Sequence, residues 1–376
     1  MNIAIQTARA QTRRSLEGSR QSDHFLQDVA NARAVFASVQ TKGRSLTSEE
    51  VRELELHGNW ATDWSLVRVA KGNGSSTNRS IRDGRVRGCF FHGPVQLGDL
   101  TGEIMIQITL LATEKYSQPC GVYNSTLAWC VVGDGALVKG CNAMTRCVVG
   151  PGAAVVNCGL ISCSQPPGSN GSGGAHCSFA NGLAIAVGPE TRGREVACYA
   201  TMTLAEAAAA AADRASPEAV QEQRLAVNEF AELSRCGATV IGPGCVVMSC
   251  SRVVDVFLGV SALLESCAVE NATILSTEEE PSRVTGGSAV TTSLLQPGVT
   301  VDRGCIVSDS MLMEHSHVDN HGKVSHSVLG PDSGVGSGEC LHCLVGPFVG
   351  FHHQSLLIAT VWPLGGERWL RGQRGV

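Results

Sequence analysis

The sequence predicts a mainly β chain of short parallel strands, wound in coils of 17 residues around a triangular prism. Three observations predict it. First, between Val290 and Phe351, aliphatic residues recur at Leu295, Val301 and Val307, at Leu312, Val318 and Val324, and at Leu329, Val335 and Leu341. The step is six within each group and five between groups, which makes 17, and Ser293, Ser310 and Ser327 keep the same register. A fourth copy, one residue shorter, carries Val345 and Phe351. Second, the period recurs upstream. Val132-Gly133-Asp134-Gly135-Ala136 and Val149-Gly150-Pro151-Gly152-Ala153 begin 17 residues apart, as do Ile241 and Leu258. Third, the 376 residues include 43 glycines and only 5% aromatics, so small side chains recur at turns. A helix cannot place an aliphatic residue at every sixth position with glycine behind it. Three short strands per turn can, each with one inward aliphatic residue and a tight corner after it. A coil then buries an apolar column that it could not bury alone.

The elements follow in order. Residues 1–56 read as a polar, largely helical extension, and Thr47-Ser48-Glu49-Glu50 is a capping box opening a helix to about Leu56. Residues 57–376 read as the repeat domain. Leu66–Ala70 is strand-like, and 71–80 is a Gly/Ser/Asn loop. From Val86, short Val/Leu/Ile/Cys strands alternate with Gly-Pro and Gly-Asp turns, interrupted by a Gly/Ser/Pro loop at 164–174. Residues 201–235 break the pattern: Thr203-Leu204-Ala205-Glu206 is a second capping box before a poly-Ala run, and Ser216-Pro217 is an N-cap followed by proline at the first helical position. The stretch reads as a helical insertion, after which the β pattern resumes at Ala238.

A net charge of -5 gives no electrostatic footprint for nucleic acid. The longest apolar run, near Val253–Leu264, is too short for a bilayer and contains Asp255, so no membrane association is expected. No secretory signal precedes the 16 cysteines, which argues for a reduced, cytoplasmic protein rather than a disulfide framework. Arg9, Arg13, Arg14 and Arg20 against Glu17 keep a mitochondrial transit reading open.

The repeat resembles that of the hexapeptide-repeat left-handed β-helix proteins over about 85–190 and 238–360. The left hand is implied by that resemblance and not by the period. Thr62-Asp63-Trp64-Ser65, Arg192-Gly193-Arg194-Glu195-Val196 and Gly346-Pro347-Phe348-Val349-Gly350-Phe351-His352-His353-Gln354-Ser355 resemble segments of a long bacterial-type β-helix family labelled a domain of unknown function. The resemblance implies a C-terminally truncated member, and it supplies no catalytic residues. The expected architecture is therefore a left-handed parallel β-helix. The C-terminal Arg371–Val376 offers no capping helix, so self-association as a trimer or end to end is expected.

Cys130 and Cys147, Cys141 and Cys158, and Cys250 and Cys267 are each 17 apart and should stack in columns. One C-x-x-C, Cys340 to Cys343, encloses His342, but with no second pair structural packing outweighs a metal site, and no metal is expected. Seven of 11 histidines lie in 315–353: His315, His317, His321, His326, His342, His352 and His353. Asp309, His326 and His342 share one outward column; Asp319 and His352 share another with one coil between them. A carboxylate beside an imidazole fixes its tautomer and raises its basicity. The resemblance implies acyl transfer, in which a coil-borne histidine deprotonates a hydroxyl or amine that attacks an acyl thioester. His326, His342, His352 or His353 would be the base, Asp309 or Asp319 would orient it, and an acyl-CoA would be the cosubstrate with no other cofactor required. Lys323 is the one nearby cation for CoA phosphates, which counts against this reading. A solvated polar face, a sugar- or nucleotide-binding scaffold and a structural assembly module remain alternatives. No P-loop, dinucleotide fingerprint, G-x-S-x-G elbow or HExxH is present. The 85 residues before the repeat are too few and too polar for a nucleotidyltransferase domain.

Overall fold

A chain that alternates two- or three-residue strands with sharp corners needs a residue at each corner whose backbone turns the other way. Here one or two residues per corner sit at positive φ, and many carry side chains: Thr292, Asp309, His326, His342 and Ala359 form one such column, with φ between 45 and 54. The computed structural model describes residues 20–70, 79–107, 115–164, 177–188, 195–212 and 216–362. The basic stretch at Arg9–Arg14, most of the Gly/Ser loops at 71–80 and 164–174, residues 192–194 and the C-terminal Arg371–Val376 lie outside them. The fold is mainly β, with parallel strands in sheets and few helices. It divides into two units: Val29–Cys177 with Cys236–Ala268, and Ser178–Arg235 with Val269–Val376 and the residues before Val29.

In the first of these units, Val86–Arg87, Gly121–Tyr123, Leu137–Lys139, Ala154–Val156, Val246–Met248 and Leu263–Glu265 stack as one parallel ladder. A second run stacks Phe90–Leu97, Thr126–Val132 and Ala143–Val149, the last two with a positive-φ residue at their centre, Trp129 and Arg146. The next coil is cut at that corner. Leu160–Ser162 pairs with Ala143–Thr145 and Thr239–Ile241 pairs with Cys147–Val149, so residues 163–238 replace a single corner residue. The Thr239 hydroxyl donates to the Ser162 carbonyl at 2.6 Å and closes the break. Arg252–Leu258, bent at Asp255, then runs unbroken across both pieces. In the same unit Cys250 and Cys267 bring their sulfurs to 3.5 Å inside the coil, which is the stacking expected of residues 17 apart.

The excursion carries two helices, Leu204–Ala212 and Pro217–Leu233. The Thr203 hydroxyl accepts from the Glu206 amide and the Glu206 carboxylate accepts from the Thr203 amide, and Ser216 caps the second helix with Pro217 at its first turn. Near the N-terminus, the Thr47 capping box opens the helix Ser48–Leu56, and its Glu50, fully buried, takes a bidentate pair from Arg44 at 2.6 and 2.7 Å.

In the second unit three parallel ladders are separable. The first stacks Arg283–Val284, Thr300–Val301, His317–Asp319, Gly334–Gly336 and Gly350–Phe351. The second stacks Ala289–Thr291, Ile306–Ser308, Lys323–Ser325, Glu339–Leu341 and Leu356–Ile358. The third stacks Leu294–Leu295, Met311–Leu312, Val328–Leu329, Leu344–Val345 and Val361–Trp362. Leu295, Leu312, Leu329 and Val345 are in register and buried, as are Val301, Val318, Val335 and Phe351. The third column corrects one sequence expectation. Val307 and Val324 are followed by Cys340, not Leu341: Cys340 is buried, while Leu341 faces out beside Ser325. The shortened coil is thus the one before the fourth copy, with a step of five from Val335 to Cys340 that turns at Ser337.

Two substitutions test this account by urea denaturation. Thr292 is β-branched at φ 45, so Thr292→Gly should be neutral or stabilising by up to about 1 kcal/mol, where glycine inside a strand destabilises. Leu312→Ala, in a side chain with no exposed surface, should cost about 2–5 kcal/mol. A Thr292→Gly loss as large as that of Leu312→Ala would sink the corner assignment.

Candidate functional site

The corner between the second and third ladders of the second unit carries the polar column Asp309, His326 and His342. At each corner the backbone amide of the turning residue donates to a carbonyl of the coil before: Asp309 to Thr291, His326 to Ser308 and His342 to Ser325, each at 3.1 Å. A buried serine behind the corner takes up the next amide. Ser310 N–H donates to Ser293 Oγ at 3.2 Å, Ser327 N–H to Ser310 Oγ at 3.1 Å and Cys343 N–H to Ser327 Oγ at 3.0 Å. The backbone is held on both sides, and the corner side chains project as half-buried groups.

They meet as follows. Asp309 Oδ2 lies 3.7 Å from His326 Nδ1. The His326 and His342 rings meet edge to face, with centroids 4.8 Å apart. His342 has a further partner that its own coil does not supply. Its Nδ1 lies 2.7 Å from the carbonyl oxygen of Ala186, in the hairpin of Ala184–Ala186 with Glu195–Ala197. The Gly188 amide donates back to the His342 carbonyl at 2.9 Å. A carbonyl oxygen only accepts, so Nδ1 of His342 carries a proton, and the neutral ring is the tautomer whose Nε2 presents a lone pair.

The other expected candidates stand apart from this corner. His352 and His353 are adjacent and exposed, with ring centroids 6.2 Å apart, and His353 is itself a corner residue at φ 64. Asp319 lies two coils from His352 in the first ladder, with Gly336 between them in register. Among the described residues, no group of three or more His, Cys, Asp or Glu side chains is arranged to hold a metal ion. Cys340 and Cys343 are both buried in the coil, and the Cys343 thiol donates to the Leu341 carbonyl at 3.1 Å.

Residues 43–364 match the family model described as Domain of unknown function (DUF4954). The chain belongs to the DUF4954 family. No curated protein matches it. No described helix of this DUF4954 chain is long and apolar enough to cross a membrane.

Sequence reasoning placed Asp309, His326 and His342 in one column, and the structure brings them together. It missed Ala186, which lies 156 residues from His342 in the chain and acts through a main-chain atom. No side-chain pattern could have disclosed it. It read the column as outward-pointing without assigning it to corners, which is where these residues lie. Asn, Asp and His are enriched at positive φ, so the conformation alone accounts for part of the histidine column.

Burial lowers the pKa of His326 from the ordinary imidazole value, the neighbouring His342 lowers it further, and Asp309 acts in the opposite direction. The unfolded chain therefore binds more protons than the folded one in the window just below the ordinary value. This contribution to stability is present at neutral pH and falls away as pH drops through that window. By NMR titration, His342→Ala should raise the His326 pKa and Asp309→Asn should lower it. Identical titrations in both variants would refute the coupling.

Proposed function

We propose that this chain is an acyltransferase-like enzyme in which His342 is the general base, acting on the hydroxyl or amine of a sugar or amine acceptor. We propose also that the three ladders of each unit are the faces of a left-handed triangular β-helix, which the 17-residue register and the positive-φ corners support. The observation that carries the function is the Ala186 carbonyl on Nδ1 of His342, at 2.7 Å. A base must aim one ring nitrogen in a fixed direction, and a backbone acceptor on the other ring nitrogen fixes the tautomer in which Nε2 is the accepting atom. His326 beside it, with its lowered pKa, stays neutral and does not oppose the proton that His342 accepts.

The step balances without a further reactant. Nε2 of His342 takes the proton from the acceptor as its oxygen or nitrogen attacks the carbonyl carbon of an acyl thioester. The C–S bond breaks, the thiolate leaves, and the imidazolium returns the proton to sulfur. Space for a ligand lies on the same ladder. A groove of about 350 Å³ where its strands begin, at the end away from His342, is lined by His321, Lys323, Glu339, Gln354 and Leu356, among others. Lys323 precedes His326 by three residues, roughly 10 Å of extended strand, and offers a cation to a phosphate-bearing cosubstrate.

The test is thiol release from acetyl-CoA by the purified chain, with amino sugars and simple amines as acceptors. Turnover that falls on the order of 100-fold or more in His342→Ala, with an unchanged melting midpoint, is the expected result. Release no faster than the enzyme-free blank, or equal in His342→Ala, would refute the reading.

A further inference from the structure

The outer surface around His342 changes character at the coil that carries it. In the second ladder of the second unit, the outward residue before the corner is Thr291, Ser308, Ser325, Leu341 and Ile358 in successive coils. The first three carry hydroxyls, and those of Ser308 and Ser325 meet at 2.8 Å. The last two are aliphatic. The corner residues divide in the same way. Asp309 and His326 precede His342, and Ala359 follows it, its amide donating to the Leu341 carbonyl at 2.9 Å. His342 therefore stands at a boundary, with hydroxyls, a carboxylate and an imidazole on one side and aliphatic side chains on the other.

The aliphatic side continues round the corner onto the third ladder. Leu294, Met311, Val328 and Leu344 stack there in register and are buried. Val361 is the next member of that row and is 59% exposed. Ile358, on the near side of the corner, is 42% exposed. Singly exposed aliphatic residues are ordinary on a protein surface, and Ile306 of the same ladder is one. Leu341, Ile358, Ala359 and Val361 instead form a run that starts beside His342. Contact of this run with water gains the fold nothing.

We propose that Leu341, Ile358 and Val361 receive the hydrocarbon tail of the transferred acyl group, so that the donor is a thioester of a saturated acyl chain longer than acetyl. The inference rests on the acyl-transfer reading and adds the class of donor to it. The directions along the chain agree. The groove at Lys323 lies where the second-ladder strands begin, His342 follows their ends, and Val361 lies one corner further on. A thioester with its phosphate-bearing part at the groove and its carbonyl at His342 carries its tail onward to Val361. From Ile358 to Val361 is three residues, at most about 10 Å of extended chain, a length that a hexanoyl tail approaches. Ser308 and Ser325, on the polar side of the boundary, are left for a hydroxylated acceptor. The tail takes no part in the bond changes at the thioester and contributes binding alone.

The experiment compares donors by chain length on the full chain. Titration calorimetry uses the unreactive thioethers S-ethyl-CoA and S-hexyl-CoA, and thiol release uses acetyl-CoA and hexanoyl-CoA. A methylene taken wholly out of water changes affinity about fourfold, and an open surface covering one side of the tail about twofold. The hexyl analogue should therefore bind on the order of tenfold more tightly than the ethyl one, and release should follow the same order. The double variant Ile358→Thr/Val361→Thr keeps both side chains β-branched and so preserves the strands. It should bring the two affinities within about twofold of each other, with an unchanged melting midpoint. Ile306→Thr, away from the corner, should leave the difference as it is. A hexyl analogue that binds no more tightly than the ethyl one overturns the proposal, as does an advantage that survives the double variant or is lost equally in Ile306→Thr. Release from acetyl-CoA that depends on His342, without a hexyl advantage, overturns the donor class and leaves the base in place. A hexyl advantage that depends on Ile358 and Val361, without release from either thioester, supports the apolar site and overturns the base.

Discussion

The fold depends on how the corners satisfy their backbone. A strand of two or three residues earns few ladder hydrogen bonds, and a residue at positive φ interrupts them. Each corner must therefore find partners for its amides from the neighbouring coil, inside a core where an unpaired amide is costly. The serine series does this. Ser293 Oγ donates to the Thr291 carbonyl of its own coil at 2.7 Å and accepts the Ser310 amide of the next at 3.2 Å, and Ser310 and Ser327 repeat the arrangement. A hydroxyl in that position is donor and acceptor at once. The same chemistry is used at other corners: Ser125 accepts the Cys141 amide at 3.0 Å, and Ser333 accepts the Val349 amide at 3.0 Å.

This constraint makes the corner the place where the chain can be lengthened. Between corners, one extra residue would turn every inward side chain outward. At a corner the chain already leaves the ladder, and only the two flanking strands need to keep register. Residues 163–238 enter at such a point, between Ser162 and Thr239, and both flanking strands stay aligned with the coil before and the coil after. Within the second unit, the excursion is tied to the ladders by buried polar contacts. Asn181 donates to Thr273 Oγ1 at 3.1 Å, and Gln296 donates to the carbonyls of Ala200 and Met202 at 3.1 and 2.9 Å. Those ties hold in place the strand that carries Ala186.

Much of this was legible in the sequence. The aliphatic step and the serine step are direct images of the core and of the corner chemistry, because a ladder in register repeats each role at each coil. The helices at 204–212 and 217–233 announced themselves by their caps. Leu341 was misplaced because a one-residue deletion is invisible to a period count when both Cys340 and Leu341 are apolar; only pairing in space decides between them. The site was half legible. A column shared by Asp309, His326 and His342 follows from the period, but the period assigns no backbone conformation, so strand face and corner could not be told apart. The Ala186 contact depends on atoms that no spacing encodes.

The corner conformation also decides how much a histidine column means. His315, His321, His326, His342 and His353 all lie at positive φ, and for each the backbone preference is a sufficient reason for an imidazole to be there. Function has to be argued from what a histidine has beyond the corner. His315 has a carboxylate, Glu280 Oε1 at 3.1 Å from its Nε2, but both groups are exposed and such a pair is worth little in water. His326 has Asp309, a half-buried pair at the longer distance of 3.7 Å. Among the described residues, His342 alone of the five has a main-chain carbonyl on Nδ1, at 2.7 Å, from a segment far away in the chain. A main-chain acceptor cannot titrate, so it fixes the tautomer at every pH at which the imidazole is neutral, which an exposed carboxylate cannot do to the same degree. The physical case for a reacting imidazole therefore narrows from a column to one residue.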